Sequence, residues 1–574
     1  MRALIAGALC LVSAAGAGSR VGAQVEPPSA ASPAPGMAGS QILCSVSSGP
    51  VALGSAQWNG WGRGVENTRY QPEPAIRATD VPRLALKWAF GYPGGGPALG
   101  QPTIVDGRVF VAGAAGHVYS LDAKSGCIYW RYDTDGRALS TVVIAELAAP
   151  RTVAKSKRAK RGHIDAHLDV LKPPSVVFFG DDKGTVYALD AERGTLLWRT
   201  QLESQPTARI EGAPVPYQNR LYVTVGSSET ATARDAGYSC CTFRGSVAAL
   251  DVATGRVDWK TYLVSEEPRP VASPAGVQRF GPAGVAVAAA PTLDTERGLL
   301  YLATGDSFNP ALQPLADAVV ALDLADGKLR WSKQLQPATA PASAVMTAPE
   351  ATSTDAPAHG SAASEEVSRE FVSSPILRTL TSGKQIVVAG QRSGVVYGLD
   401  PERSGEILWQ VKAPEARSSG GVESGMAADH HRVYAAIAGV AEDASDPTGS
   451  LVSIDLKTGV KSWQRAAPTS ACGWSSASFP CSHGQAQAVT VIPGAVFSGS
   501  MDGHLRAYST IDGKILWDYD TAKDFATVNH VNASGGSLDH GGATIVNGVV
   551  YVNSGSARGG HPGNVLLAFS VDGK

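Results

Sequence analysis

One short pattern recurs along the 574-residue chain and constrains its fold more than any other feature. Each of seven copies has an alternating apolar run, an Asp-x-x-x-Gly or similar turn, and a second run that ends in tryptophan. Alternation is typical of strands, and an Asp/Gly turn between two strands is typical of a β-hairpin. The seven copies end at Trp130, Trp198, Trp259, Trp331, Trp409, Trp463 and Trp517.

The spacing of these tryptophans predicts a β-propeller. They lie 54 to 78 residues apart, which leaves room for four short strands and variable loops, and four-stranded units repeated around an axis are propeller blades. An eighth copy is split: the chain ends in LLAFSVDGK without a tryptophan, and LALKWAF near the start supplies Trp88. We therefore predict an all-β, eight-bladed propeller over residues 55–574, closed by pairing of residues 84–90 with residues 566–570.

The eight repeated tryptophans are predicted to dock between neighbouring blades, where each ring buries a large apolar area. The chain has 11 tryptophans, so only Trp58, Trp61 and Trp474 remain for other roles.

The first residues predict an export signal over 1–23. Arg2 precedes an apolar run that is too short to span a bilayer, and Val21-Gly-Ala23 offers a small-residue cleavage site. We expect no membrane span elsewhere, a disordered leader over residues 24–54, and a periplasmic or secreted protein. A net charge of −2 with 17% charged residues gives no basic field for nucleic acid.

Six cysteines remain if Cys10 leaves with the signal. Cys240–Cys241 and Cys472–Cys481 are the local candidates for bridges, but six cysteines allow about 15 pairings, so those of Cys44 and Cys127 stay open. From the residues alone, the adjacent pair is either a small strained ring, two buried apolar side chains, or two half-cystines with separate partners.

Four stretches resemble the pyrroloquinoline quinone (PQQ)-dependent alcohol dehydrogenases, in particular the polyvinyl alcohol dehydrogenase branch. The likeness covers about residues 58–574. The stretches are WNGWGRGVENTRYQP from Trp58, YSCCTFRGSVAALD from Tyr238, VFSGSMDGHLRAY from Val496 and ASGGSLDHGGAT from Ala533.

The resemblance implies that PQQ and Ca²⁺ are the cofactors. Cys240 and Cys241 fall where the family has a strained disulfide that lies against the PQQ ring. Glu229 and Asp306 fall at the positions of its Ca²⁺ ligands, and Glu229 is thereby also a cofactor-binding residue. Carboxylate oxygens suit a hard cation of this kind.

The resemblance also implies the catalytic groups. Arg392 falls where a basic residue contacts the reactive quinone oxygens, and Glu370 falls where the family usually has a catalytic Asp. A carboxylate there would take the proton of the alcohol while hydride passes to the cofactor. The implied activity is oxidation of primary or secondary alcohols, including chains like polyvinyl alcohol.

Several cofactor positions depart from the family pattern. Ala288 and Ser424 stand where relatives carry tryptophans, Leu139 replaces an arginine although Arg137 is two residues away, and Glu211 replaces a smaller polar residue. These departures support an alternative: a non-catalytic propeller scaffold that has lost PQQ and binds protein partners.

Relatives in this branch often carry a haem segment with a C-x-x-C-H motif, which does not occur in this sequence. Cys44, in QILCSVSSGPVALG, is interpreted as a remnant of that segment. Electrons from reduced quinone are therefore predicted to pass to a separate acceptor, such as a cytochrome c.

Overall fold

The computed structural model describes residues 42–45, 49–54, 57–96, 100–113, 115–147, 174–233, 235, 237–271, 277–309, 313–335, 369–413, 420–439, 449–468, 472, 482–555 and 560–574. The predicted export signal, residues 24–41 of the predicted leader, Trp474 and Cys481 lie outside these ranges. Within them, no helix is long and apolar enough to cross a membrane.

Eight antiparallel sheets form the blades of a propeller, which confirms the predicted fold. The first four blades, from first strand to last, are Thr103–Val105, Arg108–Gly113, His117–Asp122 and Ile128–Asp133 (blade 1); Val143–Glu146, Ser175–Gly180, Thr185–Asp190 and Leu196–Gln201 (blade 2); Val215–Tyr217, Arg220–Ser227, Ser246–Asp251 and Val257–Tyr262, with Ala208–Arg209 added (blade 3); and Thr292–Asp294, Leu299–Ala303, Ala318–Asp323 and Leu329–Gln334 (blade 4).

The other four blades are Ile376–Thr379, Gln385–Gly390, Val395–Asp400 and Glu406–Lys412 (blade 5); Ala427–Ala428, Arg432–Ile437, Ser450–Asp455 and Lys461–Ala466 (blade 6); Thr490–Ile492, Ala495–Gly499, His504–Ser509 and Ile515–Asp520 (blade 7); and Thr544–Val546, Val549–Ser554, Val565–Val571 and Leu84–Gly91 (blade 8). Outside the blades, the described ranges hold two short ribbons and three single turns of helix: Arg269–Val271 with Arg279–Gly281, Asp524–Phe525 with Ala533–Ser534, Val81–Arg83, Glu229–Thr232 and Pro401–Arg403.

The two ends of the chain close the ring in blade 8, as predicted. Leu84–Gly91 pairs antiparallel with Val565–Val571, with Ala85 opposite Ser570 and Phe90 opposite Leu566. Blade 8 therefore takes its fourth strand from the N-terminal part of the same chain.

The Asp-x-x-x-Gly turn is explained by two contacts. The Asp122 carboxylate accepts hydrogen bonds from the backbone N–H groups of Lys124 at 3.1 Å and Ser125 at 2.7 Å. The glycine that follows has a positive φ, 70° at Gly194, and a Cβ there would lie 2.5 Å from Trp130 of the preceding blade. Both the backbone angle and the docked indole therefore require glycine.

Seven of the eight repeated tryptophans donate the indole N–H to a carbonyl of the next blade. The exception is Trp331, whose buried N–H has no partner in the described part of the chain. The turn that faces it, from Asp400 to Gly405, is one residue longer than the others and runs through the helical turn Pro401–Arg403.

Residues 42–45 lie along blade 1 and residues 49–54 contact blades 1 and 2, although both stretches fall within the segment expected to be a disordered leader. Cys44 forms a disulfide with Cys127, Leu43 makes a parallel bridge to Ile128, and the Ser175 hydroxyl donates to the Val51 carbonyl at 2.6 Å. The segment thus adds to the outer strand of blade 1, because that strand offers unpaired backbone groups.

A second irregular stretch, residues 57–76, follows the inner end of the ring; we call it the axial segment. It makes hydrogen bonds at or beside the first strands of seven blades. The bonded pairs are Trp58–Ile104, Asn59–Ile144, Asn67–Pro291, Glu66–Leu377, Thr68–Ala428, Arg69–Val489 and Gln71–Ile545. The first strands therefore face the axis, and the tryptophan-bearing fourth strands face outward.

Candidate active site

A cavity with two adjoining lobes lies where the inner ends of the blades meet. The wide lobe has a volume of about 280 Å³ and is bordered by Trp61, Arg137, Arg209 and His540. The acidic lobe has a volume of about 240 Å³ and is bordered by residues that include Gly305, Phe308, Glu370 and Arg392. Both lobes are bordered by Glu211, Ala288, Val372 and Glu423.

Arg392 lies between two carboxylates in the acidic lobe. Its guanidinium forms an ion pair with Glu370, and its Nε donates to Glu423 at 2.9 Å. The Arg392 backbone N–H also donates to the Glu370 carbonyl at 3.1 Å. Burial disfavours the charged form, but the two carboxylates outweigh it and raise the pKa of Arg392 above its usual value. The structure thus places a fixed cation beside a carboxylate.

Two more carboxyl groups adjoin this ion pair. Burial, followed by the charges of Glu370 and Asp317, raises the pKa of Asp306 well above its usual value. Burial and the charge of Glu370 also raise the pKa of Asp317 to about 6, with Arg369 opposing the shift. Both shifts show that the negative charge of Glu370 disfavours ionisation of the neighbouring carboxyl groups, and a cation there would relieve the repulsion.

Glu229 is fully buried at the start of the one-turn helix Glu229–Thr232. Its carboxylate accepts hydrogen bonds from the backbone N–H groups of Thr242 at 2.8 Å and Phe243 at 2.9 Å, and from the Tyr238 hydroxyl at 3.0 Å. Gln205 adds a fourth donor at 3.3 Å. Glu229 therefore fixes the loop that carries the adjacent cysteines.

Cys240 and Cys241 are bonded to each other, as predicted. Each is 2% exposed, and the pair packs in an apolar cluster with Phe243 and Phe308. Since Phe308 borders the acidic lobe, the disulfide lies close behind the wall of the cavity. Cys472 is also disulfide-bonded, and its predicted partner is outside the described residues.

The predicted calcium ligands are not assembled into a metal site. In the described ranges, no three His, Cys, Asp or Glu side chains are grouped so that they could hold an ion. Both carboxylate oxygens of Glu229 already accept hydrogen bonds. In this arrangement Glu229 and Asp306 are not grouped around one ion position, and Glu229 is bonded to the loop instead.

Four of the departures from the family pattern border the wide lobe. They are Leu139, Glu211, Ala288 and Ser424, and the neighbouring Arg137 borders it as well. A single cavity therefore collects residues from four separate segments of the chain.

Sequence reasoning missed three polar groups of the site: Glu423, Asp317 and His540. The His540 imidazole borders the wide lobe, and its Nδ1 lies 2.6 Å from a carboxylate oxygen of Asp539, which is 2% exposed. Glu423 and His540 both come shortly before the first strand of a blade, where most other cavity residues also lie. The position just before the first strand of each blade was therefore a sequence signal that could have identified Glu423 and His540 as cavity residues.

Comparison with known proteins identifies the class. Residues 58–337 match the family described as "Glucose/ethanol/alcohol dehydrogenase, beta-propeller domain", and residues 315–573 match "Outer membrane protein assembly factor BamB". The crystal structure of the quinohemoprotein alcohol dehydrogenase of Comamonas testosteroni superposes with a TM-score of 0.60 at 18% identity, over 90% of this chain and 81% of that one. That superposition shows the fold alone, an eight-bladed propeller of the quinoprotein type.

Two relatives are similar over nearly the whole chain. The polyvinylalcohol dehydrogenase of a Pseudomonas species is 40% identical over 562 residues, which span 96% of this chain and 81% of the relative. The polyvinylalcohol dehydrogenase of Sphingopyxis sp. (strain 113P3) is 38% identical, over 92% of this chain and 79% of the relative. The chain therefore belongs to the PQQ-dependent alcohol dehydrogenase family and is a dehydrogenase.

PQQ is planar and carries three carboxylates; the wide lobe offers two arginines that can pair with them, and Glu211 and Glu423 that oppose them. Arg137 and Arg209 supply positive charge at its wall, although each also adjoins a carboxylate: Asp182 at 2.8 Å and Glu211 at 4.0 Å. The buried hydroxyl of Ser374, on the same wall, has no hydrogen-bond partner among the described residues. Buried polar atoms without partners are rare in folded proteins, so a polar ligand at this wall would satisfy it.

Proposed function

We propose that the protein is an exported quinoprotein that oxidises the hydroxyl groups of polyvinyl alcohol or a similar chain, with PQQ bound in the axial cavity. The observation that carries this proposal is the Glu370–Arg392–Glu423 cluster in a cavity of a chain similar to polyvinylalcohol dehydrogenases over almost its full length. When bound, PQQ supplies the acceptor for hydride.

Glu370 is the proposed general base. Its carboxylate borders the acidic lobe. The side chain is 22% exposed, so that it is accessible to a substrate hydroxyl. Arg392 holds one of its oxygens by ion pairing, which fixes the carboxylate in place and leaves the second oxygen to accept the proton.

Arg392 has a second proposed role. A guanidinium keeps its charge at any working pH, so it stabilises negative charge that develops beside it as hydride leaves the alcohol. Cys240–Cys241 is proposed to cover the cofactor from behind the wall at Phe308, and Arg137 and Arg209 are proposed to bind its carboxylates.

Calcium is a separate proposal, with Glu229 and Asp306 as ligands. It is supported by the crowded negative charge around Asp306, which a divalent cation would relieve. Glu229 would have to exchange hydrogen bonds from Thr242 and Phe243 for the ion. Titrating PQQ uptake against Ca²⁺ in wild type and Asp306→Asn tests this, because uptake without any calcium dependence contradicts it.

We also propose export to the periplasm or the medium and a separate electron acceptor, such as a cytochrome c. Export is supported by the signal-like residues 1–23, and the separate acceptor by the lack of a C-x-x-C-H motif in the sequence. The scaffold alternative is not supported, because the similarity to dehydrogenases covers nearly the whole chain, whereas the assembly-factor match covers only residues 315–573.

The decisive experiment mixes purified protein with PQQ, with and without Ca²⁺, removes free cofactor, and measures bound PQQ and alcohol-dependent dye reduction. Stoichiometric uptake with activity on polyvinyl alcohol supports the proposal. Uptake with activity on small secondary alcohols alone contradicts the polymer substrate, and no uptake contradicts the quinoprotein function.

A further inference from the structure

The wide lobe has walls of unusually small residues and one large aromatic side chain among its described lining. The small residues are Gly100, Gly212, Ala213, Ala288, Ala289, Ala290 and Gly541, and the aromatic one is Trp61. Trp61 comes from the axial segment and not from the blade repeat. It is only partly buried, unlike Trp58, which is 0% exposed.

The indole of Trp61 is held in place by a buried cation. The Arg69 guanidinium lies 4.6 Å from the centre of its ring and donates to the Trp61 carbonyl at 2.7 Å. Gln101 donates to the same carbonyl at 2.7 Å and accepts from Arg69 at 2.6 Å. Gly425 leaves the space for this pair, since a Cβ there would lie 2.8 Å from the indole and 3.0 Å from Arg69 Cδ.

Arg69 is itself held by the blades, and among the described residues no carboxylate pairs with it. Its Nε donates to the Val489 carbonyl at 2.6 Å and its Nη2 to the Thr490 hydroxyl at 3.1 Å. Burial without a counter-ion lowers the pKa of Arg69 to about 9. Desolvating a guanidinium is unfavourable, and here the arrangement fixes one face of an indole whose remaining surface borders the cavity.

From this geometry we propose that Trp61 is the flat binding surface of the wide lobe for a planar conjugated ligand, which is the quinone cofactor of the proposed function. The inference rests on that function. The small residues at Ala288–Ala290 and Gly212 leave room for a ring system, and the fixed indole supplies the dispersion contact that small side chains cannot.

Equilibrium dialysis with PQQ as the probe tests the proposal in the full-length protein. Trp61→Ala should weaken PQQ binding by about tenfold or more, whereas Trp61→Phe, which keeps a flat ring, should stay within about threefold of wild type. Trp331→Phe is the matched control, because it alters a tryptophan of the blade repeat and should leave PQQ binding unchanged.

Thermal unfolding of each variant separates binding from folding. If Trp61→Ala unfolds at the wild-type temperature and binds PQQ as tightly as wild type, the proposed role of Trp61 is overturned while the proposed function stands. If the wild type takes up no PQQ, both are overturned. If Trp61→Ala is too unstable to assay, equal weakening in Trp61→Phe and Trp61→Leu would also overturn the role of a flat ring.

Discussion

The eight repeated tryptophans form a belt at the outside of the blades, and this tryptophan belt is built in the opposite way to the cavity at the inner ends of the blades. In the belt, one contact is repeated: Trp198 and Trp517 each donate to a carbonyl of the next blade, at 3.1 and 3.0 Å. In the cavity at the axis, the blades offer different residues, such as Glu211 from blade 3 and His540 from blade 8.

The difference follows from what each region has to do. Blade docking needs the same apolar burial eight times, so a repeat satisfies it. Binding and chemistry need different charges within a few ångströms, and the inner ends of eight blades bring them together. The acidic lobe accordingly concentrates carboxyl groups that an ordinary core would not tolerate. Substitutions in the belt should therefore change stability, and those at the axis should change activity.

The largest expected effect is at the axis. Glu370→Gln should lower alcohol-dependent dye reduction by about 10²- to 10⁴-fold, because an amide keeps the size but cannot take a proton. Uptake of PQQ and the thermal midpoint should change little. Glu402→Gln, at a 61% exposed side chain outside the cavity, is the control. If Glu370→Gln stays fully active, the base is misassigned.

A belt substitution should have the reverse effect. Trp198→Ala should lower the free energy of unfolding by about 3–5 kcal/mol, because a buried indole and its hydrogen bond to Val252 are lost.

Trp331 gives a finer test of the same region. Trp331→Phe should cost about 1 kcal/mol less than Trp198→Phe, since its N–H has no partner in the described residues. Equal losses in denaturant unfolding would contradict this assignment.

Ionisation of the buried Asp317 should lower the free energy of unfolding, and a substitution there should restore it. Its pKa is raised to about 6 in the folded protein, whereas an unfolded Asp titrates near about 3.9. Between these values the folded chain binds more protons, so stability falls as pH rises from about 4 to about 6. Asp317→Asn should therefore raise the free energy of unfolding by about 3 kcal/mol at pH 7 and change it little at pH 4. An equal gain at both pH values would show that the effect is not electrostatic.

The smallest expected effect is at Glu423. Glu423→Gln leaves Arg392 paired with Glu370 alone, so more of the positive charge acts on Glu370 and weakens it as a base. We expect kcat to fall by about tenfold with KM nearly unchanged, and Glu423→Asp to recover part of the loss. A rise in KM with constant kcat would instead indicate a role in substrate binding.

Much of the fold could be predicted from the sequence because the sequence pattern is periodic. The tryptophan spacing predicted eight blades, and the split copy predicted the pairing of residues 84–90 with residues 566–570, both of which are confirmed. The adjacent cysteines were paired correctly through the family resemblance. The bridge between Cys44 and Cys127 could not be chosen, because no local pattern places residues 42–45 against blade 1.

By itself, the sequence determined the blades, because hairpin turns and docking tryptophans act over short distances and repeat. Only the tertiary structure decided which residues share the cavity. Glu423 meets Arg392, Trp61 rests on Arg69, and Glu229 is bound to the loop after Cys241, because the closed ring brings separate segments to one axis. Such contacts depend on the angle and depth at which eight blades converge, and no local pattern encodes that geometry.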